Sequence, residues 1–442
     1  MAGGTFDKQV GKDRPGTYIN FQSGKHDTVG GSDRGIVIIP LKNHNYGPKG
    51  EFITLTAAAP DAAYAKLGYS IYDSDDNRQM LLIREAFKKA ATVIVYRVNG
   101  GTEAKVTAAP VTAKAKYPGT RGNQFSFTVS ENPVEGFDVQ VNLAGSKVAE
   151  YTGLKTVEEL VAQDCEYITF SGTGALVKNA GANLTGGTDV TMQNADVTAL
   201  LDASEGVKFN CMCFPFTEAA LQAAAKTKIK YIRENIGKGV IPNTASGDYE
   251  GVINVTNSVT VDGVDLTAEE ACAWVAAATA AAKNTQSNTY VEYDGATAVV
   301  GAKTHEEAVA AIKNGEFFFS ISEESKVVVE YDINSLVSFK DGKDKSYRKN
   351  RVIRVFDTFG EALQLNFPPN KYDNDPDGWD IMEGIGRSLL KKFRDAGAIK
   401  NVDLDNDFLV DRELSEGDET YFNVGLEPVD SSEKIYFTVT TR

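Results

Sequence analysis

The sequence predicts a multidomain fold of the α/β-plus-β class with extended terminal arms, and three patterns lead to this prediction. Apolar strands alternate with amphipathic helices in two separate parts of the chain, which is typical of an α/β layer. A stretch of short alternating strands lies between these parts. Short runs with strand propensity stand apart at the two ends. The 442 residues are enough for about three domains of roughly 150 residues each.

Shifts in composition along the chain predict five segments. We expect an extended N-terminal arm and linker, an α/β segment that packs with later domains, a small β-sandwich or barrel, a larger α/β domain, and a C-terminal α+β domain that ends in a strand. In this order the segments are residues 1–34, 35–101, 102–188, 189–330 and 331–442.

The second and third segments differ in their hydrophobic pattern. In the second segment, Gly35–Leu41 and Val93–Val98 have the pattern of buried strands, and Met80–Ala91 carries apolar residues at helical spacing. In the third, short alternating runs are separated by Gly, Asn and Pro, which is typical of a small β-sandwich or barrel inserted as a module. Its predicted strands are Phe125–Val129, Phe137–Leu143, Ala149–Thr152 and Tyr167–Phe170.

The fourth segment returns to alternating helices and strands, which predicts a mostly parallel sheet. Its predicted helices are Met192–Asp202, Glu218–Asn235, Ala268–Lys283 and Thr304–Asn314, and its predicted strands are Val207–Phe214, Val240–Pro242 and Gly251–Thr256. The predicted C-terminal elements are a strand pair around Phe317–Ile333, helices near Arg351–Phe367 and Gly378–Ala396, and a last strand, Ile435–Thr440.

The N-terminal arm contains one apolar island, Thr17–Phe21, which has strand propensity and follows the turn or extended signal Arg14-Pro15-Gly16. A short strand alone in a polar arm cannot fold by itself. We therefore expect it to pair with the body of its own chain or with another molecule.

Composition argues against several classes of protein. Lys and Arg total 46 and Asp and Glu total 61, a net charge of −15, whereas a protein that binds duplex nucleic acid must neutralise phosphates. No run of about 18 uncharged apolar residues occurs, and the N-terminus lacks the pattern of a secretory signal. The four cysteines do not suggest a disulfide framework. We expect a soluble protein made in the cytoplasm, with no nucleic acid as partner and no membrane insertion.

The sequence lacks the usual motifs of cofactor, metal and catalytic chemistry. No G-x-x-x-x-G-K-[ST] loop occurs, and no strand leads into a G-x-G-x-x-G turn. Cys211 and Cys213 face one side of a predicted strand, but zinc needs two further ligands, so we interpret them as buried thiols. We expect His305 to cap a helix. We predict no cofactor, no metal and no catalytic residue; a hydrolase of unknown substrate remains the alternative, on fold class alone.

Charged residues are distributed unevenly in the C-terminal segment. Lys340–Arg354 contains seven basic residues and two acidic ones, whereas Asn401–Asp430 contains ten acidic residues and one basic one. On the second predicted helix of this segment, Arg387, Lys391 and Arg394 occupy positions i, i+4 and i+7 of one face. Such runs are either solvated faces or surfaces for partners, and both interpretations remain open at this point.

Recognisable motifs are spread along the whole chain. They are Met1–Phe6, Arg14–Phe21, Tyr117–Asn123, Leu184–Thr188, Tyr347–Arg354, Gly397–Asn401 and Glu427–Tyr436. In this order they resemble the contractile phage tail sheath proteins, and most closely those of Gram-positive myophages, defective prophages and phage-tail-like bacteriocins. The stretches Gly360–Pro369 and Asn370–Trp379 differ from the family pattern.

The resemblance implies a mechanical function and no enzymatic one. The α/β domain at residues 189–330 would be subtilisin-like without catalytic residues. Subunits would polymerise as stacked hexameric rings around a tail tube and contract to drive the tube through a cell envelope. The implied partners are further copies of this chain, the tail tube protein, and the baseplate and tail-terminator proteins. Assembly would take place in the bacterial host cytoplasm, and the product would be a virion tail or a released phage-tail-like particle.

The resemblance also assigns roles to particular residues. Terminal arms would add strands to the sheets of neighbouring subunits. The candidate arm residues are Thr17, Tyr18, Ile19, Asn20 and Phe21 near the N-terminus, and Ile435, Tyr436, Phe437, Thr438 and Val439 near the C-terminus. We further expect Arg387, Lys391 and Arg394 to face an acidic tube. Residues 340–400 contain 13 basic and 10 acidic residues, a net charge of +3, so the remainder of the chain carries −18.

Overall fold

The structure, a computed structural model, describes residues 34–75, 78–340 and 342–441. The predicted strand Thr17–Phe21 lies outside these residues. The described chain has a mixed α/β fold of several domains, as the sequence predicts. A β-sandwich interrupts an α/β layer, and a C-terminal domain of two long helices and short strands follows.

The elements before and within the sandwich follow one another in the chain. Residues 34–102 contain β1 (Ile36–Leu41), β2 (Phe52–Thr56), α1 (Tyr64–Leu67), α2 (Gln79–Phe87), β3 (Thr92–Arg97) and β4 (Gly101–Thr102). Residues 105–189 contain β5 (Lys105–Ala108), β6 (Val111–Ala115), β7 (Phe125–Glu131), β8 (Phe137–Leu143), β9 (Ser146–Leu154), α3 (Val157–Val161), β10 (Ile168–Gly172), β11 (Asn179–Asn183) and β12 (Thr188–Asp189).

The inserted module is a sandwich of two antiparallel sheets, ordered β10-β6-β5 and β11-β7-β8-β9. Phe125, Phe127 and Val129 are buried in its core, whereas the residues between them are less buried, because successive side chains of a strand point to opposite faces. The strand that enters the module, β4, pairs with the strand that leaves it, β12. The sequence-based prediction of an inserted β-sandwich is therefore confirmed.

The elements after the sandwich complete the α/β layer and the C-terminal domain. Residues 190–335 contain α4 (Asn194–Ala203), β13 (Cys211–Met212), α5 (Ala219–Asn235), β14 (Ile241–Asn243), β15 (Val252–Val255), β16 (Ser258–Val261), β17 (Val264–Asp265), α6 (Ala268–Ala281), β18 (Ala296–Val300), α7 (His305–Lys313), β19 (Glu316–Phe317), β20 (Phe319–Ile321) and β21 (Val327–Val329). The C-terminal domain contains α8 (Asn350–Asn366), α9 (Pro376–Asp395), β22 (Ile399–Lys400), β23 (Phe408–Val410), β24 (Phe422–Val424) and β25 (Glu427–Pro428).

The main sheet combines strands from both sides of the sandwich, in the order β2-β3-β1-β13-β14-β15-β19. Its two halves meet where Met212 N donates a hydrogen bond to Val240 O at 2.9 Å. Every neighbouring pair is parallel except β2 with β3. Val37 and Ile39 face the core under α2 and α6, whereas Ile38 faces the core under α4 and α5. Helices thus cover both faces of the sheet, which explains its nearly continuous apolar strands.

Some predicted strands are shorter than the sequence indicates. The predicted strand Val207–Phe214 is reduced to β13, and Asn210 just before it accepts hydrogen bonds from the backbone N–H groups of Gly35 and Ile36. The predicted pair around Phe317–Ile333 is divided into β19, β20 and β21. Its interruption coincides with Asn257, whose side chain bonds both the N–H and the carbonyl of Phe319 at 2.8 and 2.9 Å.

The two C-terminal helices lie where the sequence predicts them, but the last predicted strand does not form within this chain. Helix α9 begins at Pro376 because the side chain of Asp375 accepts a hydrogen bond from Gly378 N at 2.8 Å. Residues 435–440, by contrast, are exposed and pair with no strand in the described part of the chain.

Two glycines of α9 make the close packing of this helix testable. A Cβ atom at Gly386 would collide with the ring of Phe408, whereas a Cβ at Gly384 would meet no atom within 4 Å. We therefore expect Gly386→Ala to lower the free energy of unfolding by about 1–3 kcal/mol through overpacking. Gly384→Ala should raise it by up to about 1 kcal/mol, because alanine favours a helix. Urea unfolding of both variants checks this pair, and equal effects would contradict the packing described here.

Candidate assembly surfaces

The basic run Lys340–Arg354 is largely directed into the molecule. It therefore fits neither of the two interpretations that the sequence left open, a solvated face and a surface for a partner. Its side chains contact acidic or polar groups of the α/β layer and of the C-terminal tail. The contacts are Lys343 Nζ to Glu250 Oε1 at 2.6 Å, Lys349 Nζ to Asp430 Oδ2 at 3.6 Å and to Glu433, Arg351 Nη1 to Ser431 Oγ at 2.7 Å, and Arg354 Nη2 to Asp332 Oδ2 at 2.9 Å.

Asp332 is the buried acceptor at the junction between the α/β layer and α8. Its Oδ2 accepts hydrogen bonds from Arg354 Nη2 at 2.9 Å and from Asn288 N at 2.8 Å, and its Oδ1 accepts one from Asn350 Nδ2 at 2.8 Å. The side chains of Arg354 and Asp332 are 2% and 0% exposed. Because both charges are removed from water, each depends on the other for compensation. The junction is therefore fixed by a buried ion pair and its hydrogen bonds.

A second ion pair joins α8 to the layer about one turn further along the helix. Arg233 of α5 forms two parallel contacts with Asp357, Nη2 to Oδ1 at 2.6 Å and Nη1 to Oδ2 at 3.0 Å. Burial by itself lowers the pKa of Arg233, but the charge of Asp357 outweighs this effect and raises the pKa overall. This two-point geometry orients α8 on the layer as well as holding it there.

The C-terminal arm candidates form one exposed apolar segment. Ile435, Tyr436, Phe437 and Val439 are 64%, 87%, 85% and 87% exposed. A run of exposed β-branched and aromatic residues has the composition of a strand that lacks its partner. The N-terminal candidates, Thr17, Tyr18, Ile19, Asn20 and Phe21, lie outside the described residues.

The three candidates for contact with the tube lie on one side of α9, but two of them already have carboxylate neighbours. Arg387 Nη2 lies 3.0 Å from Glu383 Oε2, and Arg394 Nη2 lies 3.1 Å from Asp395 Oδ1. Lys391 is exposed. The face is therefore less basic than the sequence pattern alone indicates.

The described part of the chain contains no cluster of three or more His, Cys, Asp or Glu side chains that could hold a metal ion, and no helix in it has the length and hydropathy to cross a membrane. Burial raises the pKa of the Cys211 and Cys213 thiols. Burial also lowers the pKa of His44 to about 4, and its Nε2 lies 2.9 Å from Leu67 O. His305 is the first residue of α7, next to its N-cap Thr304.

Sequence reasoning did not identify Asp332 or Glu433 as functional residues. Asp332 has no recognisable pattern around it, because its partners Asn288 and Arg354 are distant in sequence. Glu433 lies within the family-like motif Glu427–Tyr436, and this was the one signal available. Its partners come from two other parts of the chain, so the motif alone could not reveal them.

The buried ion pair predicts a large difference between two aspartates. Asp332→Asn leaves the buried Arg354 without a compensating charge, so we expect the free energy of unfolding to fall by about 3–5 kcal/mol. Asp380→Asn is the matched control: its pair with Arg412 has side chains 67% and 48% exposed, so water screens both charges and we expect little change in stability. Denaturant unfolding of both variants measures the two changes. Equal losses would show that the Asp332 pair does not hold the junction.

Comparison with known proteins covers almost the entire described chain. Family models match residues 34–98 (tail sheath protein domain III, N-terminal region), 99–189 (phage tail sheath β-sandwich domain), 191–335 (central domain) and 342–442 (C-terminal domain). The phage-like element PBSX protein XkdK of Bacillus subtilis is 34% identical over 99% of both chains.

Solved structures give the same result. The sheath tail protein of Desulfitobacterium hafniense has a TM-score of 0.81 at 38% identity, covering 96% of this chain and 99% of that one. The helical sheath protein of the anti-feeding prophage in its contracted state shares the fold, with a TM-score of 0.58 at 13% identity over 98% of this chain and 100% of that one. The chain belongs to the phage tail sheath protein family.

Proposed function

We propose that this sheath subunit polymerises as stacked hexameric rings around a tail tube and contracts to drive the tube through a cell envelope. The observation that carries the proposal is the exposed apolar segment Ile435–Val439, which has strand composition and no partner strand in the described chain. Strand addition to a neighbouring subunit would satisfy its backbone and bury its side chains. The fold shared with a helical sheath in a contracted state supports the proposal.

Contraction in this proposal draws its energy from subunit interfaces. No nucleotide is needed if the extended polymer is metastable and the contracted packing is lower in free energy, as in a two-state rigid-body switch. The arms Thr17–Phe21 and Ile435–Val439 would keep subunits connected while they rotate. Backbone hydrogen bonds between strands suit this role, because they place few demands on side-chain chemistry.

The remaining parts of the proposal follow from family membership. The partners would be further copies of this chain, the tail tube protein, and the baseplate and tail-terminator proteins. Assembly would take place in the bacterial host cytoplasm. We also propose that the α/β layer is a subtilisin-like domain without catalytic residues. The mostly parallel sheet with helices on both faces supports this relation, and we assign the chain no enzymatic activity.

Removal of the arms tests the polymer. We expect the full chain to form long ring-stacked tubes in negative-stain micrographs, and deletion of residues 1–22 or of residues 435–442 to abolish them, because each deletion removes one donated strand. Circular dichroism and thermal unfolding of the truncated chains serve as controls for folding. Tubes of normal length from both truncated chains would contradict strand addition.

Charge reversal tests the tube-facing side of α9. We expect Lys391→Glu combined with Arg394→Glu to prevent loading onto purified tail tubes, because like charges would oppose an acidic tube. Lys208→Glu combined with Lys230→Glu is the matched control, since both lysines are exposed and lie on the α/β layer. Co-sedimentation with tubes measures loading. Normal loading of the first double variant would refute contact through this face.

A further inference from the structure

The C-terminal tail contacts the body of the molecule through Asp430, Ser431 and Glu433. Of these, Glu433 is the one whose side chain binds both the α/β layer and the residue before α8. After β25, Val429 N donates a hydrogen bond to Ala398 O at 2.9 Å, which is the last backbone bond of the small C-terminal sheet. Four residues later the Glu433 side chain is only 7% exposed, although the segment that follows it is almost fully exposed.

Both oxygens of this carboxylate are bound. Oε1 accepts hydrogen bonds from Ser287 Oγ at 2.7 Å and from Thr289 Oγ1 at 2.6 Å, and Oε2 forms an ion pair with Lys349 Nζ. The hydroxyl groups belong to the loop after α6 in the α/β layer, whereas Lys349 directly precedes α8. One side chain of the tail therefore contacts both bodies that meet at the Asp332 junction.

Asp332 fixes the position of the loop that binds Glu433. Asp332 accepts a hydrogen bond from Asn288 N, between the two hydroxyl donors, and Asp332 N donates to Thr289 Oγ1 at 2.9 Å. The Lys349 side chain is 13% exposed, and burial lowers its pKa although Asp430 opposes this shift. A buried ammonium group of this kind is stabilised by carboxylates, and here Glu433 and Asp430 each supply one.

We propose that Glu433 is a positioning residue for the C-terminal arm: it clamps the tail into a socket formed by Ser287, Thr289 and Lys349, and so fixes the point from which Ile435–Val439 leaves the subunit. The clamp would keep the arm's free length short. If it opened, residues 432–433 would detach back to Ser431, whose hydroxyl stays bound to Arg351, and add roughly 7 Å of slack, at about 3.3 Å per extended residue. A longer free arm meets a neighbouring sheet at lower effective concentration.

The positioning role rests on the proposed strand addition, whereas the contacts of Glu433 do not depend on it. The contacts and the role can therefore be tested separately. Trypsin cleavage after Lys434 reports the clamp in the unassembled full chain, because a protease must pull the preceding residues out of the socket. Ser287→Ala removes one hydroxyl donor to Glu433 and leaves the cleaved sequence unchanged, and Thr289 is kept because its Oγ1 also accepts the hydrogen bond of Asp332 N. Thr285→Val is the matched control, since it lies in the same loop and its hydroxyl is not a donor to Glu433.

We expect Ser287→Ala to release the peptide that begins at Ile435 about tenfold faster, since it loses one hydrogen bond to a charged acceptor. Thr285→Val should release it at the rate of the unaltered chain. The midpoint of thermal unfolding should stay within a few degrees, which separates local opening of the tail from general destabilisation. Unchanged peptide release from Ser287→Ala would overturn the clamp.

Tube formation provides a second test of the positioning role. Glu433→Ala, with the whole arm sequence from Lys434 onward intact, should raise the protein concentration needed for tube formation several-fold. Glu413→Gln, an exposed carboxylate of the same domain, should leave that concentration unchanged. If the tail opens in the protease assay but tubes of Glu433→Ala form at the normal concentration, the positioning role is refuted while the sheath function stands. If the unaltered chain forms no tubes, strand addition fails and the protease assay still decides the clamp.

Discussion

The ion pair between Asp332 and Arg354 is the interaction on which the arrangement of the C-terminal half depends. Its two charges are removed from water at the boundary between the α/β layer and α8. A buried pair of this kind adds little net stability compared with apolar packing, but losing one partner is costly, so it selects one arrangement of its surroundings. Here it fixes three things together: the start of α8, the loop after α6, and the socket for the tail.

This constraint links the interior of the subunit to its assembly. If the terminal arms connect subunits as proposed, a sheath subunit would have to transmit force from its arms to its body without deforming. Ion pairs at Arg354 and Arg233 hold α8 on the layer, and the proposed clamp at Glu433 holds the arm at the same junction. Force on the arm would then reach both bodies directly.

The sequence predicted long elements well because their hydrophobic periodicity reflects burial on one or two faces. The helices α5, α6, α8 and α9 and the sandwich strands β7 and β8 lie within a few residues of their predicted positions. It predicted less well where side-chain hydrogen bonds interrupt a strand, as Asn257 does beside Phe319. It also missed β2, whose polar outward positions and antiparallel pairing with β3 make it an edge strand.

The sequence by itself determined the fold class, the inserted β module, the family resemblance and the apolar arm at the C-terminus, since each is encoded in a local run of residues. Only the tertiary structure decided which charged side chains are paired inside the molecule and which are exposed to water. Lys349, Arg351 and Arg354 form part of one basic run in the sequence, yet they turn toward Asp332, Ser431 and Glu433. The order of charged residues in a sequence does not show whether their side chains point outward or inward. Whether a charged group is solvated or paired depends on groups that folding brings from distant positions.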